Sequence, residues 1–325
     1  MRAWIVEQKC EPADMAFRDV PIPEPGPGEA LVRVHTAALN FFDVLMIQGR
    51  YQVRPPFPYT PGCEISGEVV KAGEGSDYKP GDRVASQPKW GAFAEYVVVE
   101  NAPTNPVPDG VDLRLAATVP VVYPTAHVTL GRRAGLKAGE TLLVTAGAGG
   151  VGLAAVQIGS AWGARVVALA GSEEKCAVCR AHGAELALNY RDESWVEAVL
   201  AETGGRGCDV IYDPVGGDTF NTALKVIGWE GRAMIVGFAG GTIQQIASNR
   251  LLLKNASAMG SIWGAYYTRD PAQSHAIVAD CFALLQAGRI DPVISAEYPL
   301  DRVPEALAAL YERKTVGKVV IRVGD

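Results

Sequence analysis

The chain has 325 residues, 48% of them hydrophobic and 20% charged, a composition that excludes disorder and collagen-like repetition and leaves room for two hydrophobic cores. Its formal net charge of −6 works against a protein that tracks a nucleic-acid backbone, which needs clustered Lys and Arg, and no such run is present. The opening run Met1-Arg2-Ala3-Trp4-Ile5-Val6-Glu7 meets a charge at once and has no apolar signal core, and the six cysteines are irregularly spaced, so free thiols and a cytoplasmic location are expected.

In chain order, the first part (1–123) is dominated by short β-branched runs at 29–35, 64–72, 83–86 and 94–99, separated by turn signals such as Pro23-Glu24-Pro25-Gly26-Pro27-Gly28 and Lys79-Pro80-Gly81-Asp82. Such spacing predicts a compact, mainly β domain. From about Pro124 to residue 266 strands alternate with helices, the pattern of a doubly wound parallel sheet. Predicted strands are 141–145, 165–170, 186–189, 210–213, 232–236 and 257–260, with helices at 151–162, 173–181, 194–203 and 218–226. The uncharged stretch 141–164 raises the question of a membrane span, but it divides into an apolar strand, a glycine-rich loop and a helix, so a buried core is expected and no membrane partner. The last part (267–325) holds two amphipathic helices, 271–287 and 301–313, and the apolar strand Gly317-Lys318-Val319-Val320-Ile321, predicted to return to the β domain. Segment 237–253 is a candidate interface strand of a homodimer.

Gly147, Gly149 and Gly152, with Gly150 and Val151 between them, form Gly-x-Gly-x-x-Gly directly after an apolar strand and at the start of a helix, the context that makes the motif a dinucleotide site. A Cβ there would block both the tight turn and the approach of a pyrophosphate to the helix amides. The second strand of the unit ends in Ala170, Gly171 and Ser172, where a site selective for NAD carries an Asp or Glu for the ribose 2′-hydroxyl. With no carboxylate to repel a 2′-phosphate, and with Ser172 and Lys175 able to donate to one, NADPH is the expected cofactor. Glu173 and Glu174 would make NADH competitive if either turned inward. Cys176 and Cys179 form Cys-x-x-Cys inside a helical run, with no second pair to complete a zinc site.

Several blocks together resemble the medium-chain dehydrogenase/reductase superfamily, and within it the zinc-free, zeta-crystallin-like quinone oxidoreductases. They are Ala38-Leu39-Asn40-Phe41-Phe42-Asp43, Pro58-Tyr59-Thr60-Pro61-Gly62, Gly81-Asp82-Arg83-Val84, Gly91-Ala92-Phe93-Ala94-Glu95-Tyr96, the glycine loop, Asn189-Tyr190 and Gly317-Lys318-Val319-Val320. The resemblance implies a GroES-like, mainly β catalytic domain packed on a Rossmann domain, with the active site in the cleft between them. It maps cofactor contacts onto the glycine loop, Gly171, Ser172, Lys175 and Tyr190, the turn 213–217, and Val236, Gly237 and Phe238, with Ile262 beside the nicotinamide. Asn40, Asp43, Tyr51 and Thr125 are the candidate catalytic residues: Asn40 to bond a carbonyl oxygen, Tyr51 to bond that oxygen or the nicotinamide ribose, and Asp43 more as a helix cap or ion-pair partner than as an acid.

Zinc enzymes of this superfamily carry a first Cys where this chain has Asn40, a His where it has Cys63 and a further Cys near Tyr123, so no metal is expected. Without a Lewis acid an alcohol is a poor hydride source, whereas a quinone or enone delocalises the charge it receives. The expected activity is NADPH-dependent quinone reduction. The alternatives are reduction of 2-enals, enones or enoyl thioesters, and a non-catalytic nucleotide-binding role, crystallin-like or RNA-related.

Overall fold

The computed structural model describes residues 1–324, which divide into two compact units. The first comprises Met1–Val121, Ala265–Ala283 and the chain from Pro292 onward; the second comprises Val122–Gly264 and Leu284–Asp291.

In the first unit β1 (Arg2–Ile5) pairs antiparallel with β2 (Ala16–Asp19). The long β3 (Glu29–Ala38) is followed by a short helix α1 (Phe41–Ile47), then β4 (Ile65–Ala72), β5 (Arg83–Ser86), β6 (Tyr96–Glu100), β7 (Thr104–Pro106) and the single turn α2 (Leu113–Ala116). β3 pairs antiparallel with both β4 and β6, and the sheet continues through β5 to β7. Alternating β-branched residues put Val32, Val34, Ile65, Val69, Val84 and Val97 into one core with Phe93. No range was predicted for α1, although Asp43 was expected as a helix cap. It forms because Asp43 accepts the amide of Asn40 at 2.7 Å, closing the first turn from inside the protein.

The second unit opens with α3 (Val122–His127), which runs into a π-helical turn at Val128–Arg133. There follow β8 (Thr141–Val144), α4 (Gly150–Ala161), β9 (Arg165–Ala170), α5 (Glu173–Ala181), β10 (Leu186–Asn189), α6 (Trp195–Glu202), β11 (Cys208–Asp213), α7 (Gly217–Ala223), β12 (Ile227–Ile235), α8 (Ser248–Lys254) and β13 (Ser257–Gly260). All six strands are parallel, in the order β10-β9-β8-β11-β12-β13. That order, reversing between β8 and β11, is the doubly wound dinucleotide fold expected from the sequence. The expected interface strand at 237–253 is not one: the segment is a loop ending in α8, because Leu251 of α8 packs on the core between the sheet and its helices rather than joining a ladder.

The chain then forms α9 (Tyr266–Arg269), α10 (Pro271–Gln286), β14 (Ile294–Pro299), α11 (Val303–Tyr311) and β15 (Lys318–Arg322). β15 returns to the first unit's sheet, antiparallel to β3, with Val320 opposite Ala38 and Ile321 opposite Ala37. β14, which the sequence did not reveal, adds parallel to β15. Residues Leu284–Asp291 group with the second unit, where Gln157 accepts the amide of Asp291 at 2.8 Å and donates to its carbonyl at 2.7 Å. No helix among the described residues is long and apolar enough to cross a membrane.

Candidate active site

In a parallel sheet every strand ends at the same edge, and here that edge gathers the predicted cofactor residues. After β8 the chain turns through Ala146, held at φ 50°, and the Gly147 amide donates to Leu169 O at 2.8 Å. A Cβ on Gly152 would lie 2.1 Å from Ala146 O, and one on Gly147 would lie 2.9 Å from the Cβ of Ala168. Gly147 and Gly152 therefore leave no room for a side chain. The first α-helical bond of α4 is Leu153 N to Gly149 O, which leaves the preceding amides of Gly150, Val151 and Gly152 at the helix N-terminus, the geometry that receives a phosphate.

β9 ends with buried Ala170, then Gly171 and Ser172. Ser172 caps α5 and accepts the amide of Lys175 at 3.4 Å. Tyr190, just past β10, donates its amide to Ala170 O at 3.0 Å and lays its hydroxyl over Gly171, where a Cβ would meet it at 3.1 Å. Of the two glutamates, Glu173 is drawn along the helix to Arg180. The Ser172 hydroxyl holds the exposed Glu174 carboxyl below the ordinary carboxylate range. One acidic side chain thus shares Ser172 with any phosphate bound there.

Asp213, at the end of β11, is fully buried, and sequence reading missed its role. Burial pushes its carboxyl up, while the Thr145 hydroxyl and the amides of Gly216 and Val215 pull it down. It thereby ties the β8 loop to the turn before α7. Val236 donates its amide to Asp213 O at 2.9 Å, and Ala239 and Gly240 donate to Pro214 O and Val215 O, so the segment carrying Val236, Gly237 and Phe238 lies along that turn. Past β13, the hydroxyls of Ser261 and Thr129 are 2.7 Å apart and Ile262 is exposed. Thr125 lies in α3 of this second unit, and its carbonyl accepts the Thr129 hydroxyl at 2.6 Å.

The remaining candidates lie in the first unit, around a polar cluster beneath α1. Lys318, 4% exposed at the start of β15, directs its ammonium to Leu39 O, Asn40 Oδ1 and Glu64 Oε2, each at 2.8 Å. Glu64, also buried, accepts Asn40 Nδ2 at 3.0 Å and the Val121 amide at 2.8 Å. The Asn40 side chain thus joins the two charged groups, accepting from Lys318 through Oδ1 and donating to Glu64 through Nδ2. Burial pushes the Asp43 carboxyl up to about 7, against the pull of the Asn40 amide and the Lys318 charge. Tyr51 is half-buried, stacks on Phe42 with centroids 5.3 Å apart, and has its phenol pushed up by burial. Cys63 turns its thiol to Lys89 O at 3.1 Å, and burial raises it well above its ordinary value. Among the described residues no three His, Cys, Asp or Glu side chains converge where a metal ion could sit.

Glu64 and Lys318 were not read as site residues. The available signal was a charge embedded in an apolar strand, Glu64 before Ile65 and Lys318 before Val319, since a charge there needs a partner.

Residues 26–109 match the family described as alcohol dehydrogenase GroES-like domain, and residues 150–279 the family described as zinc-binding dehydrogenase. The chain is 41% identical over 298 residues to quinone oxidoreductase-like protein 2 of Rattus norvegicus, covering 91% of this chain and 85% of the relative. Its fold superposes on a mycobacterial protein solved in complex with NADPH at a TM-score of 0.93 and 31% identity, covering 99% of this chain and 100% of the other. It superposes on Escherichia coli quinone oxidoreductase complexed with NADPH at a TM-score of 0.91 and 26% identity, again covering 99% and 100%.

Proposed function

The chain belongs to the quinone oxidoreductase branch of the medium-chain dehydrogenase/reductase superfamily, and from that premise we propose that it binds NADPH and reduces quinones without a metal. The observation that carries the cofactor reading is the strand-end geometry of the second unit, in which a loop with no room for a Cβ at Gly147 or Gly152 leads to the N-terminus of α4 and the β9 end holds Ser172 in place of an acid. Gly147, Gly149, Gly150, Val151 and Gly152 receive the pyrophosphate on backbone amides. Gly171, Ser172, Lys175 and Tyr190 surround the adenosine ribose and its 2′-phosphate, and Val236, Gly237, Phe238 and Ile262 line the nicotinamide end. When bound, NADPH supplies the hydride.

What the protein adds is orientation and exclusion of water, the larger share of catalysis for an acceptor that spreads its own charge. Tyr51, stacked on Phe42, presents an aromatic face and a neutral phenol to a flat conjugated ring. Asn40 acts from behind, holding the start of α1. The six free thiols suit a reducing compartment, the cytoplasm. We further assign a homodimer, supported by the open edge of β13 and the exposed leucines of α8.

The test is the loss of reduced-nicotinamide absorbance with NADPH and with NADH, using 1,4-benzoquinone, a larger ortho-quinone and a 2-enal as acceptors, before and after dialysis against a chelator. Quinone turnover that prefers NADPH and survives the chelator is expected. Turnover of the enal alone would move the activity to alkene reduction, and silence with every acceptor would overturn it.

A further inference from the structure

We infer that Asp43 is the proton reservoir of the substrate side: its carboxyl carries a proton on Oδ1 and passes it, through one water, to the oxygen of a bound quinone as that oxygen gains charge. The inference rests on the quinone reading above and adds to it the source of the proton.

The geometry argues from what is already spent. Two carboxyls, Asp43 and Glu64, are buried together with a single ammonium, that of Lys318. All three N–H groups of that ammonium are committed, to Leu39 O, Asn40 Oδ1 and Glu64 Oε2. Glu64 adds bonds from the Asn40 amide and the Val121 backbone, so the negative charge belongs on Glu64. Asp43 receives the Asn40 N–H on Oδ2 and a weak contact from the Cys63 thiol, far less than Glu64 holds. When like groups share a site and one is paired, the other holds its proton.

The second observation is an orphaned atom. Asp43 Oδ1 is buried and meets no hydrogen-bond partner among the described residues, and the neighbouring Tyr59 hydroxyl is in the same condition. Buried polar atoms left so are uncommon and call for a water or a ligand. The other ionisable groups facing Asp43 are Cys63, Tyr51 and Tyr59, all of which burial keeps neutral. None competes for the role of base. Burial also sets Asp43 to titrate at about 7, where an acid both holds and gives a proton readily.

In the step itself the O–H bond at Oδ1 breaks as an O–H bond forms on the reduced oxygen, and the pair of electrons left on Asp43 takes a proton from solvent afterwards. One hydride and one proton thus convert the quinone to the hydroquinone, the hydride bringing both electrons and one hydrogen and Asp43 the other hydrogen.

Asp43→Asn keeps an acceptor for the Asn40 amide but has no acidic proton. The rate of quinone reduction at saturating NADPH is measured against pH for both proteins, together with NADPH affinity by nucleotide fluorescence. Wild type is expected to lose about tenfold per pH unit above about 7, and the variant to run about 10²-fold slower with no pH dependence, at unchanged NADPH affinity. A variant within about threefold of wild type, with the same pH profile, overturns the inference. A readout that needs neither turnover nor the variant is the infrared band of a protonated carboxyl in wild type. It is expected at about pH 6, lost by about pH 8, and shifted by bound quinone without NADPH. Its absence overturns the inference even if quinones are turned over, and if wild type turns over none, the band and its shift still decide the state of Asp43 alone.

Discussion

At the scale of single residues, Lys318 and Glu64 carry a burden their small number conceals. A buried ion pair gives little net stability, but removing one partner strands the other charge in the core, at a cost of about 3 to 5 kcal/mol. Here the loss would also release Leu39 O and the Asn40 amide. Lys318→Met is therefore expected to lower the unfolding free energy in urea by that order, and Glu64→Gln with Lys318→Met together to recover part of it. Equal losses in the single and double variants would mean the pair is not coupled as its geometry states. Asp43 adds a pH dependence of definite sign. Its folded titration near 7 lies above the ordinary 3.8, so the folded chain holds a proton the unfolded chain has released. The stability it gives by staying neutral is complete below the unfolded value and is lost as pH rises toward 7, at about 1.4 kcal/mol per pH unit. Asp43→Asn, neutral throughout, should gain stability over wild type across that window and level off above it. A difference between the two proteins that does not change with pH would show that Asp43 is ionised in the folded chain.

The elements were legible in proportion to how local their causes are. The strand at 165–170 coincides with β9, because a β-branched run bounded by turn residues needs no distant partner to be recognised. The range of helix α1 was not, since its first turn depends on a carboxylate that only folding buries. The run Leu251-Leu252-Leu253 is too short for periodicity to separate strand from helix, and it became α8. The cofactor edge was legible from the glycine motif, whereas the Asp213 clasp and the Glu64–Lys318 pair join residues far apart in sequence, which spacing does not reveal. The glycine loop gives a sharp test at this scale. A methyl group at 152 would sit 2.1 Å from Ala146 O, a backbone atom that cannot rotate away. Gly152→Ala should abolish NADPH binding by fluorescence titration while the strands of both sheets persist in circular dichroism; retained affinity would mean the loop receives nothing.

At the scale of the whole molecule, the parallel sheet of the second unit ends at β13, which pairs with β12 on one side only. An unpaired edge is an adhesive surface that proteins cover, bend or charge. The preceding helix α8 turns Leu251 toward the core but leaves Leu252 and Leu253 79% and 73% exposed, with Ile243 of the same connection at 71%. Soluble chains seldom leave several large apolar side chains of one segment in water without a use for them. A second copy meets the requirement economically, since a two-fold axis beside β13 lets one face cover its own twin and closes the assembly at two. Light scattering should then return twice the mass of a single chain. Leu252→Glu with Leu253→Glu, placing two like charges on each side of the axis, should return one chain with NADPH affinity intact, because neither leucine is among the residues assigned to the cofactor and both are exposed on α8. A wild-type chain that is monomeric at micromolar concentration would leave these leucines for a different partner.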